Sequence, residues 1–229
     1  MLGKKILVAL VGFCFLTAAS SAMAYGSGAG DDSLGIGLSI IASSQKDVNS
    51  WIDSTAMAGT KDISGGYEVT ADYEHRFSST MYSLLIRPSY FAQSASGAGV
   101  EANLTGFTVF PMFRLYPLES SFIHFFMQVG LGYGNLTTEL SNNGASGTYK
   151  GDAFGAIGGL GALFCFTPNH CLSIEGNFRY LPIERSTGNA SASLGGQITQ
   201  VNGELELNNF DLATTMSGIQ GIIGYKLMF

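Results

Sequence analysis

Apolar and polar side chains alternate through most of this 229-residue chain. The clearest stretch is Tyr67 to Phe77, YEVTADYEHRF. Tyr67, Val69, Ala71, Tyr73, His75 and Phe77 share one face, and Glu68, Thr70, Asp72, Glu74 and Arg76 share the other. Side chains of a strand point alternately to its two faces, so this spacing predicts a β-strand. A helix would scatter the five polar positions around its circumference.

Seven further segments carry the same period. Leu34 to Ser43 sets Leu34, Ile36, Leu38 and Ile40 against small residues, and Thr80 to Phe91 sets Tyr82, Leu84, Ile86 and Tyr90 against Ser83, Arg87 and Ser89. Leu104 to Leu115, Phe122 to Gly134, Asp152 to Phe166, Cys171 to Ile183 and Leu212 to Phe229 complete eight predicted strands. Pro111 falls inside one of them. It has no N–H for a ladder, so a bulge or a lost hydrogen bond is expected there.

The connections alternate in length. Residues 44–66, 92–103, 135–151 and 184–211 are long and rich in Gly, Ser and Asn, whereas 78–79, 116–121 and 167–170 are short. Four long loops and three short turns fit an all-β, eight-stranded antiparallel up-and-down barrel with both termini at one end. Segments of about ten alternating residues, with short turns at one end and long loops at the other, mark a transmembrane β-barrel.

The first 24 residues explain how such a barrel would reach a membrane. Lys4 and Lys5 precede an apolar run, Ile6 to Leu16, and Ala22-Met23-Ala24 offers small residues for cleavage. We read 1–24 as a signal peptide cleaved after Ala24, with residues 25–229 as the barrel domain. No later apolar run reaches the roughly 18–20 residues of a membrane helix. Only helices and closed barrels pair every backbone group within a bilayer, so the barrel is the membrane option that remains.

Charge assigns the two faces. Residues Glu68, Asp72, Glu74, Arg76, Arg87, Arg114, Glu175, Arg179 and Lys226 lie on the non-aromatic faces of their strands. A basic side chain facing lipid at the midplane costs about 2–4 kcal/mol, so these residues are expected to line the interior as a salt-bridged filling. His75 is the exception, near the predicted periplasmic rim. An eight-stranded barrel is just wide enough for side chains to fill. Six inward glycines (Gly130, Gly132, Gly134, Gly155, Gly159 and Gly161) point the other way: they either admit side chains from the opposite wall or leave a small lumen.

Cys165 and Cys171 flank a short turn, both counted inward. Export to an oxidising compartment favours a disulfide between them. His170 beside them does not complete a zinc ligand set, and no metal or cofactor is expected. Loss of Lys4 and Lys5 with the leader takes the formal net charge from −6 to −8, which argues against a nucleic-acid partner.

The chain ends on Gly224-Tyr225-Lys226-Leu227-Met228-Phe229. Gly224, Leu227 and the terminal Phe229 resemble the C-terminal assembly signal of bacterial outer-membrane barrels, with Ile222 departing from a polar preference. The whole of 25–229 resembles the OmpA/OmpX-type small barrels. That resemblance implies a bacterial outer-membrane location, outer-membrane lipids as surroundings and insertion by the barrel-assembly machinery. Some small barrels of this kind modify lipid A with a His-x-Ser pair on a strand. His75 is followed by Arg76-Phe77 and His124 by Phe125-Phe126, so no enzyme activity is expected. The expected function is a monomeric structural or surface-interaction protein whose extracellular loops could meet a surface ligand. The alternative is a narrow channel for small or hydrophobic solutes, similar to the OmpW group in size.

Overall fold

In the computed structural model, the structure describes residues 31–229 except 56–60, 79, 98, 121, 191–193, 195–197, 202–203 and 208–209. The proposed signal peptide lies outside the described residues.

Eight long antiparallel strands close a ring: β1 (Asp32–Ala42), β2 (Gly65–Arg76), β3 (Tyr82–Gly97), β4 (Val100–Glu119), β5 (Ile123–Asn142), β6 (Ala145–Thr167), β7 (His170–Tyr180) and a closing strand, Gly218–Met228. Between the last two lie short strands β8 (Pro182–Ile183), β9 (Thr187–Ala190), β10 (Ile198–Val201), β11 (Glu204–Leu207), β12 (Phe210–Asp211) and β13 (Thr214–Thr215), so the closing strand is β14. Each long strand pairs with its neighbours in sequence, β14 pairs with β7, and β1 pairs with both β2 and β14. The chain end is tied in. Phe229 N donates to Asp32 O at 2.9 Å, and Asp32 N donates back to Phe229 O.

The alternation sorts the residues as the charges require. Phe125, Met127, Val129, Leu131 and Tyr133 of β5 point outward and are exposed, while Phe126 and Gln128 between them are buried. Phe125 to Tyr133 covers roughly 20 Å along the barrel axis at the usual rise and tilt, close to the height of an outer-membrane apolar band. Tyr67, Tyr90, Phe107, Phe154 and Tyr180 stand at its outer edge and Tyr82, Phe113, Phe122 and Phe166 towards its inner edge.

Pro111 causes no bulge. Val109 pairs with Tyr133 and Met112 with Gly130 in one continuous register, but the ladder to β5 skips Phe110 and Pro111, which is the lost pairing anticipated from the missing N–H. The β4 register shifts instead between Leu115 and Leu118, around Pro117.

Two of the four long loops are corrected by the structure. Residues 92–103 and 135–151 are not irregular. β3 to β6 run on through them and turn in tight hairpins, the second at Asn143-Gly144, where both residues have positive φ (46° and 93°). The backbone period continues while the chemistry of the faces exchanges. Above Tyr133, β5 turns Leu136 and Leu140 inward and Thr137 and Glu139 outward. Here water rather than lipid lies outside, so the polar face belongs out and the apolar face packs within. Reading strands by an apolar outward face stops at that level.

The other two loops form a cap. The first contains helix α1 (Lys46–Thr55), whose Val48, Trp51 and Ile52 are buried at helical spacing. The second, β8 to β13, contributes Leu181, Ile183, Leu194, Leu205, Leu212 and Met216. These side chains form one apolar core with the inner walls of β3 to β6, closing the outer mouth. Gln45 pins the cap. Its Nε2 donates to Gln93 Oε1 and Thr215 O, and its Oε1 accepts from Thr215 N.

Candidate functional site: the barrel interior

Below the cap, the wall formed by β1, β2, β3, β7 and β14 carries most of the charges. Eight charged side chains are buried among the described residues: Glu68, Asp72, Glu74 and Glu175 against Arg87, Arg114, Arg179 and Lys226. Charges therefore balance one for one, which removes the net charge that burial would penalise most. Arg76, expected among them, stands apart. Its strand ends at the short-turn mouth of the barrel, where the side chain stays partly exposed and pairs with Glu119 at 2.5 Å.

Six of the eight make one continuous ladder. Arg87 Nε and Nη2 donate to both oxygens of Asp72 at 2.6 and 2.9 Å, a paired geometry suited to the guanidinium fork. Arg87 also reaches Glu175 (2.8 Å), Glu175 meets Arg114 (3.3 Å), Arg114 meets Glu74 (2.8 Å), and Lys226 closes on Glu74. Gln128 threads through it, accepting from Arg114 Nη2 at 2.7 Å and donating to Glu175 and Asn177. The remaining pair lies nearer the cap. Glu68 accepts from Arg179 Nη1 at 2.8 and 3.0 Å, from Gln220 Nε2 at 2.7 Å and from Ser89.

Each inward glycine faces an occupant. A Cβ on Gly130 would meet Met112, on Gly132 Phe110, on Gly134 and Gly155 Leu181, on Gly159 Asn177 and on Gly161 Phe126, all at 2.6 Å or less. The glycine wall is thus the seat of side chains, and the Arg114 guanidinium stacks 3.9 Å over the Phe126 ring held by Gly161.

At the short-turn end Cys165 and Cys171 are disulfide-bonded directly across the β6–β7 ladder, and both are buried. Closing so short a loop contributes about 2 kcal/mol in the chain-entropy account. With Tyr116, Phe126 and Leu163 they form a small apolar cluster, against which Met228 packs. A mouth cavity of about 460 Å³ opens beside it, lined by Asp31, Arg76, Glu119 and His124 and ending on Glu74 and Tyr116. His75 faces outward as counted. Its Nδ1 lies 2.9 Å from Asp32, which also accepts from Tyr73. His124 sits at the mouth, 3.8 Å from Glu119, and His170 contacts Tyr225 on the rim. Among the described residues no group of three or more His, Cys, Asp or Glu is placed to hold a metal ion.

Gly224 and Leu227 lie in β14, opposite Gly37 and Leu34 of β1, so the terminal motif forms part of the seam that closes the ring. Missed from sequence were Gln45, Trp51 and the cap. The spacing of Val48, Trp51 and Ile52 was the one signal that could have found the helix.

A closed ring with an apolar outer belt and a paired polar interior defines a transmembrane β-barrel of the bacterial outer-membrane kind. Solved structures share this fold. The outer membrane protein OprG from Pseudomonas aeruginosa superposes with a TM-score of 0.60 at 13% identity, covering 89% of this chain and 98% of that one. A major outer membrane protein from Thermus thermophilus gives 0.56 at 10% identity, covering 86% and 99%. No family model and no curated protein matches the chain in sequence.

Proposed function

We propose that this protein is a closed, non-catalytic outer-membrane barrel that works as a monomer through its extracellular face. The carrying observation is the filled interior. An apolar cap sits over a balanced ion-pair ladder, and every inward glycine is covered by a side chain. Large water-filled pores belong to barrels of far more strands. The extracellular surface supports the interaction role. β3 to β6 carry Ser96, Glu101, Asn103, Glu139 and Thr148 outward beyond the belt on a blade of paired hairpins. Insertion by the barrel-assembly machinery is part of the same reading, supported by the place of Phe229 beside Asp32 at the closing seam.

Planar-bilayer recording tests it. Purified protein is expected to give no steady conductance. Uniform single-channel steps from the wild type would overturn the closed reading and promote a narrow channel.

A further inference from the structure

One cluster of polar side chains lies outside the lumen altogether. Asp32 and His75 are directly opposed in the β1–β2 ladder, and Tyr73 is two residues from His75 on β2. All three face outward, since their chain neighbours Ser33 and Glu74 are buried inside. The cluster continues an apolar surface on the same two strands. Ile36 stands opposite Ala71 and Leu38 opposite Val69, and Ile36, Leu38 and Val69 are all exposed. Phe77 is also exposed and meets the His75 ring edge-on at 5.7 Å. Polar and aromatic groups thus meet at the short-turn edge of the belt, the level at which acyl chains give way to headgroups.

The contacts within the cluster leave a defined set of atoms. Tyr73 OH donates to Asp32 Oδ1 at 2.7 Å, and His75 Nδ1 lies 2.9 Å from that same oxygen. A ring nitrogen set against a carboxylate carries its proton, so the neutral imidazole keeps its lone pair on Nε2. Asp32 Oδ2 and His75 Nε2 have no hydrogen-bond partner among the described residues, and the two side chains are 34% and 48% exposed. Both free atoms are acceptors, and one belongs to a charged group. No lysine or arginine offsets that charge among the described residues, because Arg76, next to His75 in the chain, is committed to Glu119.

A carboxylate held at the lipid edge beside a second acceptor selects a cation with N–H groups. A membrane supplies one as the primary ammonium of a phospholipid headgroup, which carries three donors. A quaternary ammonium has no N–H to give, and a glycerol headgroup brings no positive charge.

We propose that Asp32, His75 and Tyr73 form a headgroup site for phospholipids bearing a primary ammonium. The ammonium donates to Asp32 Oδ2 and His75 Nε2. Tyr73 is a positioning residue that holds the carboxylate through its other oxygen. The acyl chains lie along Ile36, Leu38 and Val69, and the phosphate stays in water.

Native mass spectrometry of the refolded barrel tests this, with equimolar dioleoyl phosphatidylethanolamine, phosphatidylcholine and phosphatidylglycerol competing for it. The ethanolamine lipid is expected to be retained over either competitor by about fivefold or more, the effect of one hydrogen bond to a charged group. Asp32→Asn keeps the size of the side chain and removes its charge, and is expected to abolish the preference. Asp31→Asn removes the same charge one residue away, from a side chain that accepts from Ser78, and is expected to leave the preference intact. His75→Leu removes the second acceptor and is expected to reduce the preference, which keeps the test open if Asp32→Asn does not fold. Each variant is scored on the folded, heat-modifiable form. Equal retention of ethanolamine and choline lipids overturns the site, because the two differ in N-methylation alone. Preferred retention of the glycerol lipid overturns it in favour of an anion site. A preference that survives Asp32→Asn, or that Asp31→Asn lowers equally, also overturns it.

Discussion

Glu68 on β2 and Arg179 on β7 stand 111 residues apart in the chain and touch inside the barrel, with Arg179 Nη1 donating to both carboxylate oxygens at 2.8 and 3.0 Å. Neither strand neighbours the other in the ring. The pair therefore ties separate parts of the wall together across the lumen, as the Arg87–Glu175 and Arg114–Glu74 contacts also do. Filling the barrel and bracing it are the same set of contacts.

Position within that network governs what each arginine contributes. Arg114→Ala strips Glu74 and Glu175 of a fully buried partner, and its loss is expected to cost about 3–5 kcal/mol. Arg76→Ala removes a partly exposed rim pair and is expected to cost no more than about 1 kcal/mol. Equilibrium unfolding by urea in lipid vesicles measures both. Equal losses would show that burial does not decide the difference.

Glycine substitutions separate wall from belt. A Cβ on Gly132 would fall 2.4 Å from both Phe110 Cδ1 and Val109 O, so Gly132→Ala is expected to destabilise by roughly 1–3 kcal/mol. Gly176 and Gly221 have no atom within 4 Å of that position. Gly176→Ala and Gly221→Ala are expected to be neutral or to stabilise by up to about 1 kcal/mol, since glycine in a strand carries an entropic cost. The same urea titrations decide, and a tolerant Gly132 would mean that Phe110 does not fill the lumen.

Trp51 reports on the cap. It is the chain's sole tryptophan, and α1 buries it completely in the outer mouth. Its emission in folded protein is expected to be blue-shifted and shielded from iodide, becoming quenchable only on unfolding. Ready quenching in the folded barrel would place α1 outside the mouth.

Phe229 is expected to act before the fold is complete. Its backbone pairing with Asp32 is open to any residue, whereas its ring is part of the apolar rim. Phe229→Ala should therefore lower the amount of heat-modifiable protein in outer membranes while leaving the unfolding midpoint of refolded protein nearly unchanged. Normal yield in cells would remove the assembly role.

What the sequence determined by itself was the membrane-facing half of the molecule. From Tyr67 to Phe77 and in seven segments like it, lipid on one side and a confined lumen on the other impose opposite demands on alternate residues, and that demand is written locally with period two. It sufficed for eight strands, their order, the inward phase of the charges and the pairing of Cys165 with Cys171. The length of β3 to β6, the partners of each charge and the fate of the glycine wall depended on tertiary structure. Leu136 and Leu140 are inward for the same geometric reason as Gln128, yet look opposite in sequence because the medium outside has changed from lipid to water. Arg76 has the inward phase of Glu74 but sits where the mouth opens, so phase alone could not tell rim from interior. Gly130 and Gly132 admit Met112 and Phe110 of the adjoining strand, Gly134 and Gly155 admit Leu181 of the returning loop, and no local pattern encodes which side chain will arrive. Those outcomes are set by distances across a closed ring, which exist only once β1 has met β14.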